Sequence, residues 1–419
     1  MSEELDMFHF VYADEEGNAF DHENLYVLGR LGNSFVEPTE EELIPLPQGA
    51  GLTIIPNRTA VVMDRQGEFK KYRGPGFVVG ALLPQGYTRT LLPAFINEQR
   101  AQQLPLFGYT AVGYKNGKLY AAARATDIDD KWNPKHFNTV QLAEKVHSLR
   151  EKLPQNRIIK QLSYCALEYS CFTAQNIFYG RWEGGIPVSP ACNARCLGCI
   201  SLQPAECCPS PQSRIDFLPN VEEVVQLGLH HLGNEREPII SFGQGCEGEP
   251  SIQADLIAEA IIQIRNKTNC GTINMNTNGG NTFGIQKVCL AGIDSLRVSL
   301  NSAKPGAYTA YYQPQNYTLE NVKESLRTAS AQGVYTYLNL LFFPGINDCE
   351  DEVEALIQLI IDTDVKAVQL RNLNIDPDVL LDKIPSPKGE PLGVPAFLEV
   401  LSQELPTVEV GNYTKPINK

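Results

Sequence analysis

The sequence lacks a long apolar run, a basic leader and a surplus of positive charge. No uncharged apolar stretch reaches the roughly 18 residues of a membrane span, and Met1 to Phe8 is acidic, without the pattern of a secretory signal. The 35 basic residues against 49 acidic ones give a net charge of -14, which disfavours broad binding to nucleic acid or to anionic membranes. We therefore expect a cytoplasmic protein without a membrane or nucleic-acid partner.

Cysteine is absent before Cys165, and all eleven cysteines lie between Cys165 and Cys349. An odd count without a secretory signal disfavours a disulfide framework, so metal ligation or redox chemistry explains the clustered cysteines better. Cys270, Cys289 and Cys349 stand beside helix or strand patterns. We expect these three to be small buried residues of the core.

The chain is too long for one hydrophobic core. Its 419 residues exceed the roughly 250 to 300 at which a single core stops growing. Up to about Asp127, short apolar runs alternate with Gly, Pro and Asn-Gly signals, which predicts strands and turns. Asn116-Gly117 suits a tight hairpin turn. We predict a β-rich α+β N-terminal domain over residues 1–180, a candidate substrate cap.

Residues 181–385 alternate strand-like runs with amphipathic helical stretches. This pattern is typical of βα units on a parallel sheet, and it predicts an α/β fold with a partial (β/α)6 TIM-type barrel. Residues 386–419 are predicted to form a tail with one short helix, Ala396 to Glu404. The six predicted strands are Ile186 to Ser189, Pro238 to Phe242, Thr272 to Asn276, Ser295 to Leu300, Tyr335 to Phe343 and Val365 to Leu370.

One face of these predicted strands is polar. A closed eight-stranded barrel is filled mainly by branched aliphatic side chains, so a polar lining favours a cavity that holds a ligand. The alternative is a half-wet sheet with one solvent face, although both faces of a parallel sheet are normally covered. The polar positions that alternate with apolar ones are Asn274, Asn276, Asn278, Arg297, Ser299, Asn301, Asn339, Gln369 and Arg371.

Three cysteines, Cys192, Cys196 and Cys199, follow the first predicted strand at spacings of four and three. A structural zinc site commonly takes four ligands in two pairs, and this run offers three, although a zinc-stabilised binding module stays an alternative. Closely spaced thiolates hold iron-sulfur clusters, and three of them on a four-iron cluster leave one iron open to another ligand. The spacing therefore favours a 4Fe-4S cluster.

The CxxxCxxC motif resembles that of the radical S-adenosylmethionine (SAM) superfamily, and further motifs follow in that family's order across roughly Gly184 to Arg371. Residues 248–250 resemble its GGEP segment, in which Glu249 would bind the SAM amino group. Residues 276–279 resemble its TNG turn, and residues 343–348 resemble the turn after its fifth strand. The resemblance implies cluster ligation by Cys192, Cys196 and Cys199, and SAM contacts by Gly198, Gly248, Glu249, Asn276, Asn278, Ser299 and Asn301.

Two positions depart from the family pattern. The residue before the third cysteine is usually aromatic, and in this chain it is Gly198, so any ring contact to adenine comes from elsewhere. Glu247 replaces the first glycine of GGEP and adds a second carboxylate near a cationic cofactor. It either compensates that charge or faces solvent.

The resemblance implies an enzyme with a 4Fe-4S cluster and SAM as cofactors. Such an enzyme cleaves SAM reductively and forms a 5'-deoxyadenosyl radical that abstracts hydrogen from a substrate, in this case an unidentified small molecule or peptide. A reductant such as ferredoxin or flavodoxin would supply the electron. The alternative is an iron-sulfur electron carrier or redox sensor without SAM turnover.

Five cysteines near the CxxxCxxC motif in the sequence are candidates for the ligands of a second cluster. Cys207 and Cys208 follow the motif, Cys165 and Cys171 precede it, and Cys246 stands near Glu249 in the sequence. Their spacings match no standard ferredoxin run, and vicinal cysteines rarely ligate one metal comfortably. The sequence leaves a second cluster open and does not favour it.

Overall fold

The structure, a computed structural model, describes residues 7–99, 101–104, 106–202, 212–234 and 236–417. The chain packs as two compact units. The first comprises Met1–Ile128, Leu341–Ala355 and Leu370–Pro406, and the second comprises Asp129–Leu340, Leu356–Gln369 and Thr407–Lys419. These units are defined by packing, and the division of the sequence into domains at residues 180 and 385 stays a prediction.

Short antiparallel strands dominate the first unit, as the turn residues predict. The strands are β1 (His9–Ala13), β2 (Ala19–Val27), β3 (Gly29–Leu31), β4 (Ser34–Val36), β5 (Leu43–Pro45), β6 (Gly51–Ile55), β7 (Arg58–Asp64), β8 (Phe69–Lys71), β9 (Phe77–Leu82), β10 (Tyr87–Arg89), β11 (Leu92–Pro93), β12 (Phe95–Asn97), β13 (Tyr109–Thr110), β14 (Val112–Lys115) and β15 (Lys118–Ala125). Most of them join one large sheet, and a smaller sheet has the order β11-β3-β4.

The predicted hairpin joins β14 to β15. Lys115 pairs with Lys118, and the two residues between them, Asn116 and Gly117, have φ angles of 52° and 79°. Positive φ at both central residues matches the right-handed twist of the strands, which is why Asn-Gly is favoured there. The alternating apolar residues of these strands face a buried core.

The second unit begins with helices and continues as βα repeats. The helices are α1 (Leu142–Lys152), α2 (Arg157–Leu167), α3 (Phe172–Tyr179), α4 (Val221–Leu232), α5 (Ala254–Arg265), α6 (Thr282–Leu290), α7 (Pro305–Tyr312), α8 (Leu319–Ala331), α9 (Glu350–Thr363), α10 (Pro377–Lys383) and α11 (Gly393–Glu404). The strands are β16 (Glu183–Gly185), β17 (Ile239–Phe242), β18 (Thr272–Thr277), β19 (Ser295–Leu300), β20 (Tyr335–Phe342), β21 (Ala367–Asn372) and β22 (Glu409–Gly411). Of these elements, α10 and α11 belong to the first unit, as do the last residues of β20 and β21 and the first residues of α9.

The strand order of this sheet follows the chain from β16 to β22. Strands β16 to β20 pair in parallel, as do β21 and β22. Helices connect the strands and bury their apolar faces, for example Ile257, Ile261 and Ile264 of α5. The predicted α/β partial barrel after a β-rich N-terminal region is confirmed. Within the described part of the chain, no helix combines the length and hydropathy that a membrane crossing requires.

Three sequence expectations need correction. The first strand is Glu183–Gly185, three residues before the apolar run that was expected to form it; Ile186 adds one backbone bond to Ser241. Cys270 is exposed and is no core residue, whereas Cys289 and Cys349 are buried. A seventh strand, β22, pairs with β21 in the tail beyond the predicted helix.

Candidate functional site

Three thiols lie on the loop that follows β16. Cys192, Cys196 and Cys199 are each partly buried, and none of the three forms a disulfide. Burial raises the pKa of Cys196, and the neighbouring Cys199 and Cys192 raise it further. Burial also raises the pKa of Cys192, with added contributions from Glu249 and Cys199. The three thiols of this loop therefore lie within electrostatic range of one another.

Two tyrosines at the end of α7 hold this loop. The backbone N–H of Arg195 donates to the carbonyl of Tyr312, and that of Leu197 donates to the carbonyl of Tyr311, both at 3.0 Å. The two tyrosine rings are buried, with centroids 5.0 Å apart in an edge-to-face arrangement. The backbone of Gly198 hydrogen-bonds to the Tyr311 hydroxyl. A buried tyrosine of α7 therefore contacts the backbone of Gly198.

The turn after β17 is joined to the cysteine loop through its backbone. The N–H of Gly248 donates to Ser189 O at 2.7 Å, and the N–H of Glu249 donates to Ala191 O at 2.8 Å. A Cβ atom on Gly248 would lie 2.0 Å from Ala191 O. Only glycine allows this approach of the two backbones.

The Glu249 carboxylate is buried and fixed by three donors. Its Oε1 accepts hydrogen bonds from the backbone N–H of Ser251 at 3.0 Å and from the Thr277 hydroxyl. Its Oε2 accepts the backbone N–H of Asn278 at 2.8 Å. Because a carboxylate has about four acceptor positions, about one remains for a further donor.

The two asparagines of the TNG-like turn have different surroundings. Asn278 donates from Nδ2 to Asn193 Oδ1 at 2.7 Å, which ties it to the cysteine loop. Asn276 Oδ1 accepts from Asn274 Nδ2 at 3.0 Å and from Arg297 Nε at 2.5 Å. Since Arg297 can only donate, the Asn276 amide orientation is fixed, and its buried Nδ2 has no hydrogen-bond partner.

Two further residues predicted to contact SAM lie on β19 or directly after it, and their side chains bond to β20 and α7. Ser299 Oγ accepts Asn339 Nδ2 at 3.2 Å, and Asn301 Nδ2 donates to Ala307 O at 3.3 Å. Direct hydrogen bonds thus join Gly248, Glu249 and Asn278 to the cysteine-loop region, while Ser299 and Asn301 bond to β20 and α7. Their roles toward SAM stay predictions.

Glu247, which replaces a family glycine, is buried and does not face solvent. Its Oε2 accepts the backbone N–H groups of Val188 at 2.8 Å and Ser189 at 3.0 Å, and its Oε1 accepts that of Gly243 at 2.5 Å. The carboxylate therefore links the turn after β17 to the segment between β16 and the first cysteine. Burial raises the pKa of Glu247 to about 8 against the opposing effect of these three donors, and Glu249 raises it further.

This pKa makes stability depend on pH. The unfolded carboxyl titrates near 4.5, so between pH 4.5 and about 8 the folded chain keeps a proton on Glu247 that the unfolded chain releases. The free energy of unfolding should therefore fall as pH rises through this window, by up to about 1.4 kcal/mol per pH unit. In Glu247→Gln this contribution should vanish. Urea unfolding of both proteins between pH 5 and 8.5 measures the two slopes, and equal slopes would contradict the assignment.

The polar interior of the barrel is a hydrogen-bonded network. Arg297 donates to Gln369 Oε1 at 3.0 Å and Thr414 Oγ1 at 2.7 Å, and it lies 3.4 Å from Glu183 Oε1. Ser241 Oγ donates to the same Glu183 oxygen at 2.7 Å. All five residues are buried, so the alternative of a solvent-exposed sheet face is wrong at these positions.

Two groups at the cysteine loop are not predicted by the sequence. Arg214 donates from its guanidinium to Cys199 Sγ at 3.8 Å and to Ser201 Oγ at 3.0 Å. Tyr311 covers the loop from α7. Nothing in the local sequence marks either residue, because Arg214 lies 15 residues beyond Cys199 and Tyr311 belongs to a helix more than a hundred residues away.

The other cysteines form a separate group. Cys165 and Cys246 are buried and hydrogen-bonded to each other through their thiols, and the charge of Cys171 adds to the raised pKa of Cys246. Cys207 and Cys208 lie outside the described residues. Among the residues that are described, no three His, Cys, Asp or Glu side chains are arranged to hold a single metal ion.

The cysteine loop fits an iron-sulfur cluster in its chemistry. Three thiols of one loop are the ligands such a cluster takes, and the Arg214 guanidinium at Cys199 would offset part of the negative charge of the thiolates. The turn beside it fits SAM, because Glu249 keeps an acceptor position for an ammonium group. The unpartnered Nδ2 of Asn276 is a buried donor on the adjacent strand.

Comparison with solved structures shows limited similarity. A radical SAM methyltransferase from Sphaerobacter thermophilus has a TM-score of 0.40 and 17% identity, over 56% of this chain and 66% of that one. SuiB of Streptococcus suis bound to S-adenosylmethionine has a TM-score of 0.40 and 11% identity, over 64% and 62%. A methylornithine synthase has a TM-score of 0.37 and 12% identity, over 61% and 74%. The first two are therefore covered over less than two thirds of their own length.

Comparison with protein families is more specific. No curated protein matches the chain. The family model of the Radical SAM superfamily matches residues 186–360, which contain the cysteine loop, Glu249 and Asn278. The order and spacing of those residues and the partial barrel agree with this match, which identifies residues 186–360 as a radical SAM domain.

Proposed function

We propose that the protein reductively cleaves SAM and uses the resulting 5'-deoxyadenosyl radical to remove hydrogen from a small-molecule or peptide substrate. The observation that carries the proposal is the backbone connection between the cysteine loop and the Glu249 turn. It places three thiols beside a carboxylate that keeps a free acceptor position. A reductant of the ferredoxin or flavodoxin type would supply the electron.

Each part of the site has a defined task in this proposal. Cys192, Cys196 and Cys199 hold a 4Fe-4S cluster, which when bound supplies the electron that breaks the sulfonium bond of SAM. Glu249 accepts an N–H of the SAM amino group, and its three internal donors keep the carboxylate oriented. Binding through a carboxylate that is already fixed avoids reorganisation when the cofactor enters.

The tyrosines of α7 protect the loop from water. Tyr308, Tyr311 and Tyr312 are buried, and the charge of Cys196 raises the pKa of each of them, after the larger effect of burial. Phenol rings that close to the thiols exclude solvent from one side of the site. Exclusion of water limits side reactions of a reactive radical.

The test is 5'-deoxyadenosine formation by anaerobically reconstituted, dithionite-reduced protein with SAM, followed by mass spectrometry. We expect product from the wild type and from Cys270→Ala, because Cys270 is exposed and distant in sequence from the motif. Cys196→Ala should form none, because it removes one of three ligands. Iron content measured in parallel shows whether each variant carries a cluster.

The electron-carrier alternative predicts a different result. A fully loaded wild type that forms no 5'-deoxyadenosine, and whose cluster EPR spectrum is unchanged by SAM, would contradict the proposal. A spectrum that shifts with SAM, without product, would indicate that SAM binds and that cleavage requires the substrate.

A further inference from the structure

The first unit contains a cavity that the proposed radical chemistry does not use. Its volume is about 760 Å³, and its wall includes the 3-10 helix Glu40–Glu42 and helix α11. Leu31, Val36 and Leu398 give part of the wall an apolar character. A space of this size, partly apolar and partly polar, is typical of small-molecule sites.

The polar part of the wall is acidic. Glu37, Glu41, Glu42 and Glu399 line the cavity, and Arg124 alone is basic among the lining residues that the structure describes. Several carboxylates around a partly enclosed space produce a negative potential, which attracts cations. The wall therefore favours a positively charged ligand.

A second carboxylate is buried next to the wall without being part of it. Asp348 is 0% exposed, its Oδ1 accepts the Gly345 N–H at 2.7 Å, and its Oδ2 has no hydrogen-bond partner. Its backbone carbonyl accepts the N–H of Leu392, a residue of the cavity wall, at 2.9 Å. Burial raises the pKa of Asp348 to about 6, and the charge of Glu42 raises it further.

Glu42 connects the cavity to this buried group. Glu42 is 8% exposed, and its Oε2 accepts the backbone N–H of Thr39 at 2.9 Å and the Thr39 hydroxyl at 3.0 Å. A buried carboxylate is costly unless a cation or hydrogen-bond donors offset its charge. A ligand with N–H donors and a positive charge would do this for Glu42 at the cavity wall.

We propose that this cavity binds an alkylammonium ion, a primary amine cation on an apolar chain, with its charged end toward Glu42. The glutamates supply acceptors for the ammonium group, and the apolar wall covers the chain. A free amine and the side chain of a lysine both present this chemistry. The site is separate from SAM cleavage and goes beyond the function proposed above.

Calorimetric titration of the 419-residue chain with n-hexylamine tests the proposal, with n-hexanol as a neutral analogue of the same length. We expect hexylamine to bind, hexanol not to bind, and affinity to fall as salt is raised. Nα-acetyl-lysine amide is the second probe: tighter binding of it than of hexylamine indicates a lysine side chain as the source, and weaker binding indicates a free amine. Equal binding of hexanol, or binding of calcium but not of either amine, would overturn the proposal.

Matched variants locate the site. Glu42→Gln keeps an oxygen that can accept from Thr39 and should weaken hexylamine binding about tenfold, which is about 1.4 kcal/mol. Glu399→Gln changes an exposed residue of the same wall and should also weaken it, so the test does not depend on Glu42 alone. Glu404→Gln, on the same helix outside the lining, should leave affinity unchanged. Equal loss in all three variants would indicate general charge attraction and contradict a defined site.

Discussion

Replacing Arg297 by methionine is expected to lower the free energy of unfolding by about 3 to 5 kcal/mol. The guanidinium is 6% exposed and donates to Asn276, Gln369 and Thr414, besides its ion pair with Glu183. Methionine fills a similar volume but offers no donor. The Glu183 carboxylate would remain buried without a positive partner, together with amide and hydroxyl oxygens that lose their donor.

Urea unfolding followed by circular dichroism measures this loss. Arg327→Met is the matched control, because Arg327 is 42% exposed in a pair with Glu324 and should cost less than about 1 kcal/mol. Adding Glu183→Gln to Arg297→Met should recover part of the stability, since it removes the unpaired buried charge. No recovery would show that packing, and not charge, accounts for the effect.

The parallel strands of the barrel could be predicted because their side chains alternate. Ser295–Leu300 is observed at its predicted bounds, and Thr272–Thr277 extends one residue beyond its predicted end. The first strand was placed too late because Glu183–Gly185 contains two glycines and shows no apolar pattern. Its position is set by its pairing with β17, from Ile239 onward. Pairing between segments so far apart in the chain leaves no pattern in the local sequence.

The cysteine loop could be predicted because its ligands are local in sequence. The network around Arg297 could be predicted only in part, since alternation marks polar positions on strands and does not identify their partners. Thr414 and Glu183 lie 231 residues apart and meet at 3.4 Å, and neither belongs to a recognisable pattern. The Glu247 carboxylate is likewise held inside by backbone N–H groups of Val188 and Ser189, almost sixty residues earlier. The local sequence around Glu247 therefore could not show that its side chain points inward.

Gly248→Ala is expected to abolish most of the proposed SAM cleavage while the barrel still folds. The added Cβ would lie 2.0 Å from Ala191 O and 2.5 Å from Ala191 C. Both are backbone atoms, so no side-chain rotation relieves the contact, and the segment leading to Cys192 must move. A shift of about 1 Å in the position of reacting groups can lower a reaction rate about 100-fold. We expect a loss of about this size in the rate of 5'-deoxyadenosine formation.

Two measurements separate the cause of that loss from general unfolding. The iron content of the reconstituted variant reports on the cysteine ligands, and circular dichroism reports on the fold. Gly51→Ala is the matched control, because no heavy atom lies within 4 Å of the Cβ position there, and it should retain wild-type product formation. If Gly248→Ala loads iron and forms product as the wild type does, the close backbone approach does not position the ligands. A folded Gly248→Ala that loads less iron would show that the turn carrying Glu249 also sets the position of the first cysteine, so that the two cofactor sites depend on one backbone contact.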